Sequence, residues 1–389
     1  MSANHLRPND GASPGGDQSA SPSPRTLRRY RLLTLCLLCL SDGTYTVLRR
    51  YSRGILEETY SVQECLLLAE VIKTAFSAWM VGKNRTMEDW GADGRERSPA
   101  LPAHLLFLLA SSRKMLVLAV AYLFGNMLSF FALARVSAGT FAVIAQGKTF
   151  TTAMFSVLML RRSFSWTKWR AMATQVAGVV LFVLPTLETA KGAGTGLRSG
   201  GGGGGAILAG ILAELAVITL SGAASIYFER AIKSDPTDIW ERNFQLGFHS
   251  IFMYAFLIAV IQPKDEDGAS RLFSRLTPLA LVLSVLAATG GLLVALSIKY
   301  GDSVLKTLAI SGSIIYAAVI DRALLGGPLT VQMVFAAIVV IVSIVNYTFD
   351  TTPEPSPISQ AAVVLSQQQH PGLAKQERLE RGEASTREL

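Results

Sequence analysis

Lys148 is the residue whose setting most strongly demands a chemical role. It stands inside a long apolar run, Ala138 to Leu160, with no acidic residue within a helical turn of it in sequence. A lone ammonium in hydrocarbon costs at least ~3 kcal/mol on insertion scales, so Lys148 is expected to face a polar cavity or an anionic ligand. The competing readings are a side chain that snorkels, or one that pairs with an acid on another helix. Lys73 also lies in an apolar run, but Glu70 precedes it by three residues on the same helical face, so an ion pair and a ligand contact are both open. Lys299 and Lys306 flank a short connection, and Asp302 stands four residues before Lys306, within pairing reach. Glu214 sits in another apolar run, as partner for a lysine or as a gate. Asn126, Gln146, Asn243 and Gln245 add amides suited to sugar hydroxyls or a base edge. Helix-to-helix hydrogen bonding is the alternative for each of them.

These groups bind; they do not form a catalytic constellation. The four histidines, His5, His104, His249 and His370, are scattered, and no two have metal-ligand spacing. No nucleophile elbow is present, and the run Gly200 to Gly205 lacks the Lys-Ser/Thr ending of a phosphate loop. The expectation is a non-enzyme with no metal and no cofactor. Cys36, Cys39 and Cys65 fall inside apolar runs and read as small core fillers, with no disulfide framework.

The elements that position these residues follow from composition. Half of the 389 residues are apolar and 16% are charged, and the charges cluster between long apolar stretches, a distribution that names the bilayer as solvent. Windows of roughly 20 apolar residues predict spans near 31–48, 61–82, 114–134, 138–160, 167–187, 206–228, 240–262, 277–298, 303–321 and 329–348. The fold class is therefore all-α integral membrane, with ten transmembrane helices. The net charge of +8 comes without a basic stripe interleaved with aromatics, so nucleic acid is not an expected partner. Lys and Arg on the tails and the even-to-odd connections outnumber those on the other connections, which places both termini in the cytosol. The sequon Asn84-Arg85-Thr86 then lies on the cytosolic face and is expected to carry no glycan.

Five units result: a disordered tail (1–30), with no signal-peptide core; a first five-span half (31–187); a Gly-rich linker (188–205); a second five-span half (206–348); and a disordered tail (349–389). An odd number of spans per half turns the halves into inverted repeats, an architecture with a midplane solute site that is exposed to each side in turn. Small-residue runs at Ser221-Gly222-Ala223-Ala224 and Thr289-Gly290-Gly291 predict close helix packing.

Seven segments stand out: TYTVLRRYSR (Thr44 to Arg53), AEVIK (Ala69 to Lys73), FGNMLSFFAL (Phe124 to Leu133), AQGKTFTTAMFSVLML (Ala145 to Leu160), IYFERAIK (Ile226 to Lys233), IWERNFQLG (Ile239 to Gly247) and IKYGDSVLK (Ile298 to Lys306). Together they resemble the nucleotide-sugar transporters, in the CMP-sialic acid and UDP-galactose transporter branch of solute carrier family 35 within the drug/metabolite transporter superfamily. The resemblance implies a multi-pass antiporter of the Golgi membrane, with the endoplasmic reticulum as the alternative. Such a protein brings in a nucleotide sugar and returns a nucleoside monophosphate, without ATP or a metal. By the same resemblance Lys148 and Lys306 meet the phosphates, while Asn126, Gln146 and Asn243 hold base, ribose or sugar. Lys73 matches a further family lysine, and Tyr45 completes the candidate set. Phe141 and Ala145 stand where the family usually has tyrosines, and Gly247 replaces another. These departures disfavour CMP-sialic acid and favour a UDP-sugar such as UDP-galactose. Export of another organic anion and a non-transporting membrane regulator are the competing functions, and homo-oligomers stay open.

Overall fold

The computed structural model describes residues 24–91, 100–136, 138–192, 204–234, 237–261, 273 and 276–350. The tails before residue 24 and after residue 350 and the glycine run through residue 203, where disorder is expected, lie outside the described residues. Among the described residues every regular element is helical. In chain order these are α1 (Pro24–Gly54), α2 (Val62–Gly91), α3 (Leu101–Ala110), α4 (Arg113–Leu133), α5 (Ala138–Ala145), α6 (Lys148–Leu160), α7 (Trp166–Gly192), α8 (Gly204–Ser234), α9 (Ile239–Ile261), α10 (Pro278–Tyr300), α11 (Ser303–Leu325) and α12 (Val331–Thr348).

Among the described residues nine helices are long and apolar enough to cross a membrane, with α5 and α6 counted as one. α7 is the expected span outside that set. Its 27 residues suffice in length, but Lys168, Arg170, Gln175 and Pro185 dilute its apolar character. Large side chains such as Phe252, Phe256, Phe335 and Ile338 point outward, as lipid-facing positions require. Helix ends are fixed locally. Thr277, Asp302 and Thr330 cap α10, α11 and α12 by accepting from backbone N–H groups three residues on. Arg161 and Gly326 close α6 and α11 in left-handed conformations.

Two features depart from a simple count of apolar windows. The fourth span is broken: Gln146 and Gly147 separate α5 from α6, and tight turns replace the regular ladder there, with Gly147 N donating to Ile144 O at 2.9 Å and Thr149 N to Gln146 O at 3.3 Å. The connection before the third span also holds a helix, α3. It is too short to cross, it exposes Leu106 and Phe107, and it is tied to α9 by Gln245 Nε2 donating to Leu108 O (2.7 Å) and by a His104–Glu241 contact (2.7 Å).

The principal packing pairs join a helix that precedes the glycine run to one that follows it. α2 lies on α9, α7 on α12, α1 on α10 and α11, and α8 on α4 and α6. Small residues set the closest approaches. A Cβ on Gly222 would stand 2.7 Å from Thr151 Oγ1 across the α8–α6 contact, and one on Gly178 would stand 2.8 Å from Val340 Cγ2 across the α7–α12 contact.

Candidate functional site

Lys148 is the first residue of α6, so the break in the fourth span places an ammonium at a helix start, where backbone N–H groups and the helix dipole already favour negative charge. Gly147 permits this placement: a Cβ there would come within 2.9 Å of Ile218 Cδ1 on α8 and 3.0 Å of Ile144 O. One turn on, Thr151 Oγ1 donates to Ile218 O at 2.9 Å and fastens α6 to α8. The acid missing from the sequence around Lys148 comes from α8. Glu214, 1% exposed, acts on the ammonium electrostatically, and its Oε2 has no hydrogen-bond partner among the described residues.

Lys306 occupies the first turn of α11 and lies within electrostatic range of Lys148. Its Nζ, buried, donates to Ser225 Oγ on α8 at 2.9 Å. The Asp302 pairing allowed by the spacing does not form. Asp302 accepts Leu305 N at 2.8 Å instead, because an N-cap carboxylate is held by its own helix. Lys299 turns away to Asp238 at 3.2 Å and takes no part.

The start of α11 is held by Glu229, which is fully buried on α8. Its carboxylate accepts from Arg162 Nη2 (2.6 Å), Lys233 Nζ (2.8 Å) and Ser303 N (2.9 Å). Lys233 also donates to Gly301 O at 2.6 Å, and Ser303 Oγ to Ser225 O at 3.1 Å. This clamp joins the α6–α7 connection, the end of α8 and the start of α11, and so fixes where Lys306 enters.

A cavity of about 210 Å³ between α2, α4 and α9 gathers a second group: Lys73, Asn126, Tyr122, Ser250 and Tyr254. Lys73 Nζ bonds Glu70 at 2.6–2.7 Å, the pair anticipated from their spacing. Asn126 Nδ2 reaches Tyr254 Oη at 3.5 Å. Gly247 and Gly291 border this region, where a Cβ would stand 2.2 Å from Thr74 Oγ1 and 3.2 Å from Lys73 Cδ respectively. Gly247 is thus required by the packing of α9 on α2.

The other candidates are engaged elsewhere. Gln146, in the break, donates to Ala142 O of α5 (3.4 Å), and Asn243 donates to Ile239 O of its own helix (3.0 Å). Gln245 links α9 to α3, and Tyr45 packs by Tyr60, Cys65 and Leu283. Sequence reasoning missed Tyr122, Tyr254, Ser225 and Glu229. Tyr122, one turn before Asn126, and Glu229, an acid one residue past an apolar span and four before Lys233, carried signals that could have found them. Among the described residues no cluster of three or more His, Cys, Asp or Glu could hold a metal.

A family model described as nucleotide-sugar transporter matches residues 26–348. A UDP-N-acetylglucosamine/UDP-N-acetylgalactosamine transporter of Caenorhabditis elegans is 30% identical over 85% of this chain and 96% of its own length. A UDP-galactose translocator of Canis lupus familiaris is 29% identical over 82% and 78%, and a UDP-N-acetylglucosamine transporter of Rattus norvegicus is 30% identical over 84% and 98%. A solved crystal structure superimposes with a TM-score of 0.53 at 14% identity, covering 82% of this chain and 98% of that one, a likeness of fold alone.

Proposed function

The chain belongs to the nucleotide-sugar transporter family, and from that premise we propose that it exchanges a UDP-sugar for a nucleoside monophosphate by alternating access in the Golgi membrane, with both termini in the cytosol. The observation that carries this reading is that Lys148 and Lys306 lie within electrostatic range of each other. Each stands in the first turn of a helix, one before the glycine run and one after it, and both pack around α8. Two ammonium groups and two helix starts form a site for a doubly charged phosphate group. Glu214 and Ser225 are the partners that such an anion would replace.

The cavity beside Lys73 and Asn126 takes the uncharged part of the ligand. At about 210 Å³ it is smaller than the ~300 Å³ lower bound for whole drug-sized ligands, a size suited to a sugar or a base. The preference for a UDP-sugar rests on the relatives, whose names specify UDP-N-acetylglucosamine, UDP-N-acetylgalactosamine or UDP-galactose.

The ten-span inverted repeat belongs to the same reading, with α7 as the tenth span. Its support lies in the packing pairs. Shifting every span number by five exchanges the contacts of α1 with α10 and α11 for those of α8 with α4 and α6, and leaves the α2–α9 and α7–α12 pairs unchanged. The same shift carries α6 with Lys148 onto α11 with Lys306. A pseudo-two-fold through the site predicts this pattern.

The test is counterflow in proteoliposomes preloaded with UMP, CMP or GMP and offered labelled nucleotide sugars. UMP-loaded vesicles should accumulate UDP-sugars, and Lys148→Ala should abolish exchange. Wild-type exchange by a folded Lys148→Ala protein would overturn the site. Trans-stimulation by an unrelated organic anion alone would overturn the substrate class.

A further inference from the structure

A cavity of about 340 Å³ lies between α1, α7, α11 and α12, at the end of α11 remote from the lysine pair. Asp321 stands some four turns beyond Lys306, ~22 Å along the helix at 1.5 Å per residue. Two rows of side chains with a spacing of four face each other across it: Asp42, Thr46 and Arg50 on α1, and Ser313, Ala317 and Asp321 on α11. Ser313 Oγ donates to Asp42 Oδ2 at 2.5 Å, and Arg50 Nη1 to Asp321 Oδ2. The ionisable groups lining the cavity are thus two carboxyl groups and one guanidinium. α7 and α12 add apolar wall, including Phe182 and Met333.

Asp321 is 5% exposed, and its Oδ1 is buried without a hydrogen-bond partner among the described residues. A buried carboxylate oxygen left unpaired in a membrane protein is costly unless a ligand meets it. Arg50, with 54% of its side chain exposed, marks the mouth. The cavity falls in the ~300–1,000 Å³ range of small-molecule sites, which combine apolar walls with a few convergent polar groups. A proton would leave most of the space unfilled, and a metal ion would find two carboxylates where it needs a fuller oxygen shell.

We propose that this cavity is a second binding site, separate from the lysine pair, for a small organic ammonium with an apolar body. The ammonium meets the Asp321 carboxylate, and the body lies between Phe182 and Met333. Nothing in this assignment depends on the nucleotide-sugar reading.

The test uses the full chain in lipid nanodiscs with phenethylamine as probe, against 2-phenylethanol and 3-phenylpropanoate as its neutral and anionic counterparts. The expected result is saturable binding of the amine alone. Asp321→Asn should weaken it by roughly tenfold or more, the loss of a charge-assisted contact. Ala317→Leu, which fills the space between the two rows, should abolish it, and Lys306→Ala should leave it unchanged. A photoreactive phenethylamine analogue on the wild-type protein should label α1, α7, α11 or α12, which decides the matter if a variant fails to fold. Absence of saturable binding, equal binding of the alcohol, retention of binding in both cavity variants, or labelling elsewhere would each overturn the proposal.

Discussion

Replacing Glu229 by alanine removes the acceptor on which three separate segments converge. The carboxylate has no exposure, and its two charged partners, Arg162 and Lys233, keep 28% and 33% of their side chains exposed. Removing one member of a buried ion pair costs about 3–5 kcal/mol, chiefly because the remaining charge is left uncompensated. Here both cations can turn toward water, which brings that cost to its lower end, while the orphaned Ser303 N–H adds about 1 kcal/mol. Glu229→Ala should therefore lose about 3–4 kcal/mol, and Glu229→Gln, which keeps an acceptor in place, about half of that. Denaturant unfolding in mixed micelles reads the difference directly. The second sign is functional. Ser303 opens the helix that carries Lys306, so nucleotide affinity should fall in Glu229→Gln although both site lysines are intact. A loss below about 1 kcal/mol for the alanine variant would refute the clamp, since that is the scale of an exposed ion pair.

Other outcomes follow from the same geometry. Gly247→Ala should destabilise the α2–α9 contact by about 1–3 kcal/mol, the range for overpacking, and adding Thr74→Ala should restore most of it in thermal unfolding, because the clash is with Thr74 Oγ1. Lys73→Met leaves Glu70 without its ion-pair partner in a largely buried site and should cost about 1–3 kcal/mol; the double variant with Glu70→Gln should be milder, and equal losses would show that the pair is not coupled. Asn84, whose Nδ2 donates to Asp238 Oδ2 at 3.1 Å, should carry no glycan. A glycosidase-sensitive gel shift that disappears in Asn84→Gln would reverse the proposed orientation.

Nine of the ten expected spans were legible among the described residues because the bilayer imposes one rule, a long apolar run, and every backbone group must be paired within the helix. Ion pairing within one helix was legible as well, as Glu70 and Lys73 show. The break at Gln146 and Gly147 was not, since Gln146, Lys148 and Thr149 read equally well as polar groups on one continuous span, and the need for the glycine lies in contacts with Ile218 and Ile144 O. The amides divided for a similar reason. Asn126 reaches a tyrosine in a cavity, while Asn243 turns back to its own helix. A sequence records that an amide needs partners but not on which side they stand. Lys306 went to Ser225 rather than Asp302 because a helix cap and a helix contact outside the local sequence outcompeted the local pair.

On the proposed exchange mechanism, the placement of Lys148 and Lys306 bears on the return half of the cycle. With no anion between them, the two ammonium groups would repel, with Glu214, Glu229, Ser225 and whatever water reaches them as relief. Closing the empty carrier would strip that water and sharpen the repulsion, because charges interact more strongly as the surrounding dielectric falls. Closing it around any phosphate ester would not. On that mechanism the empty protein would therefore stay open on whichever side it last faced until an anion arrives, and net loss of one sugar nucleotide without a returning partner would be slow.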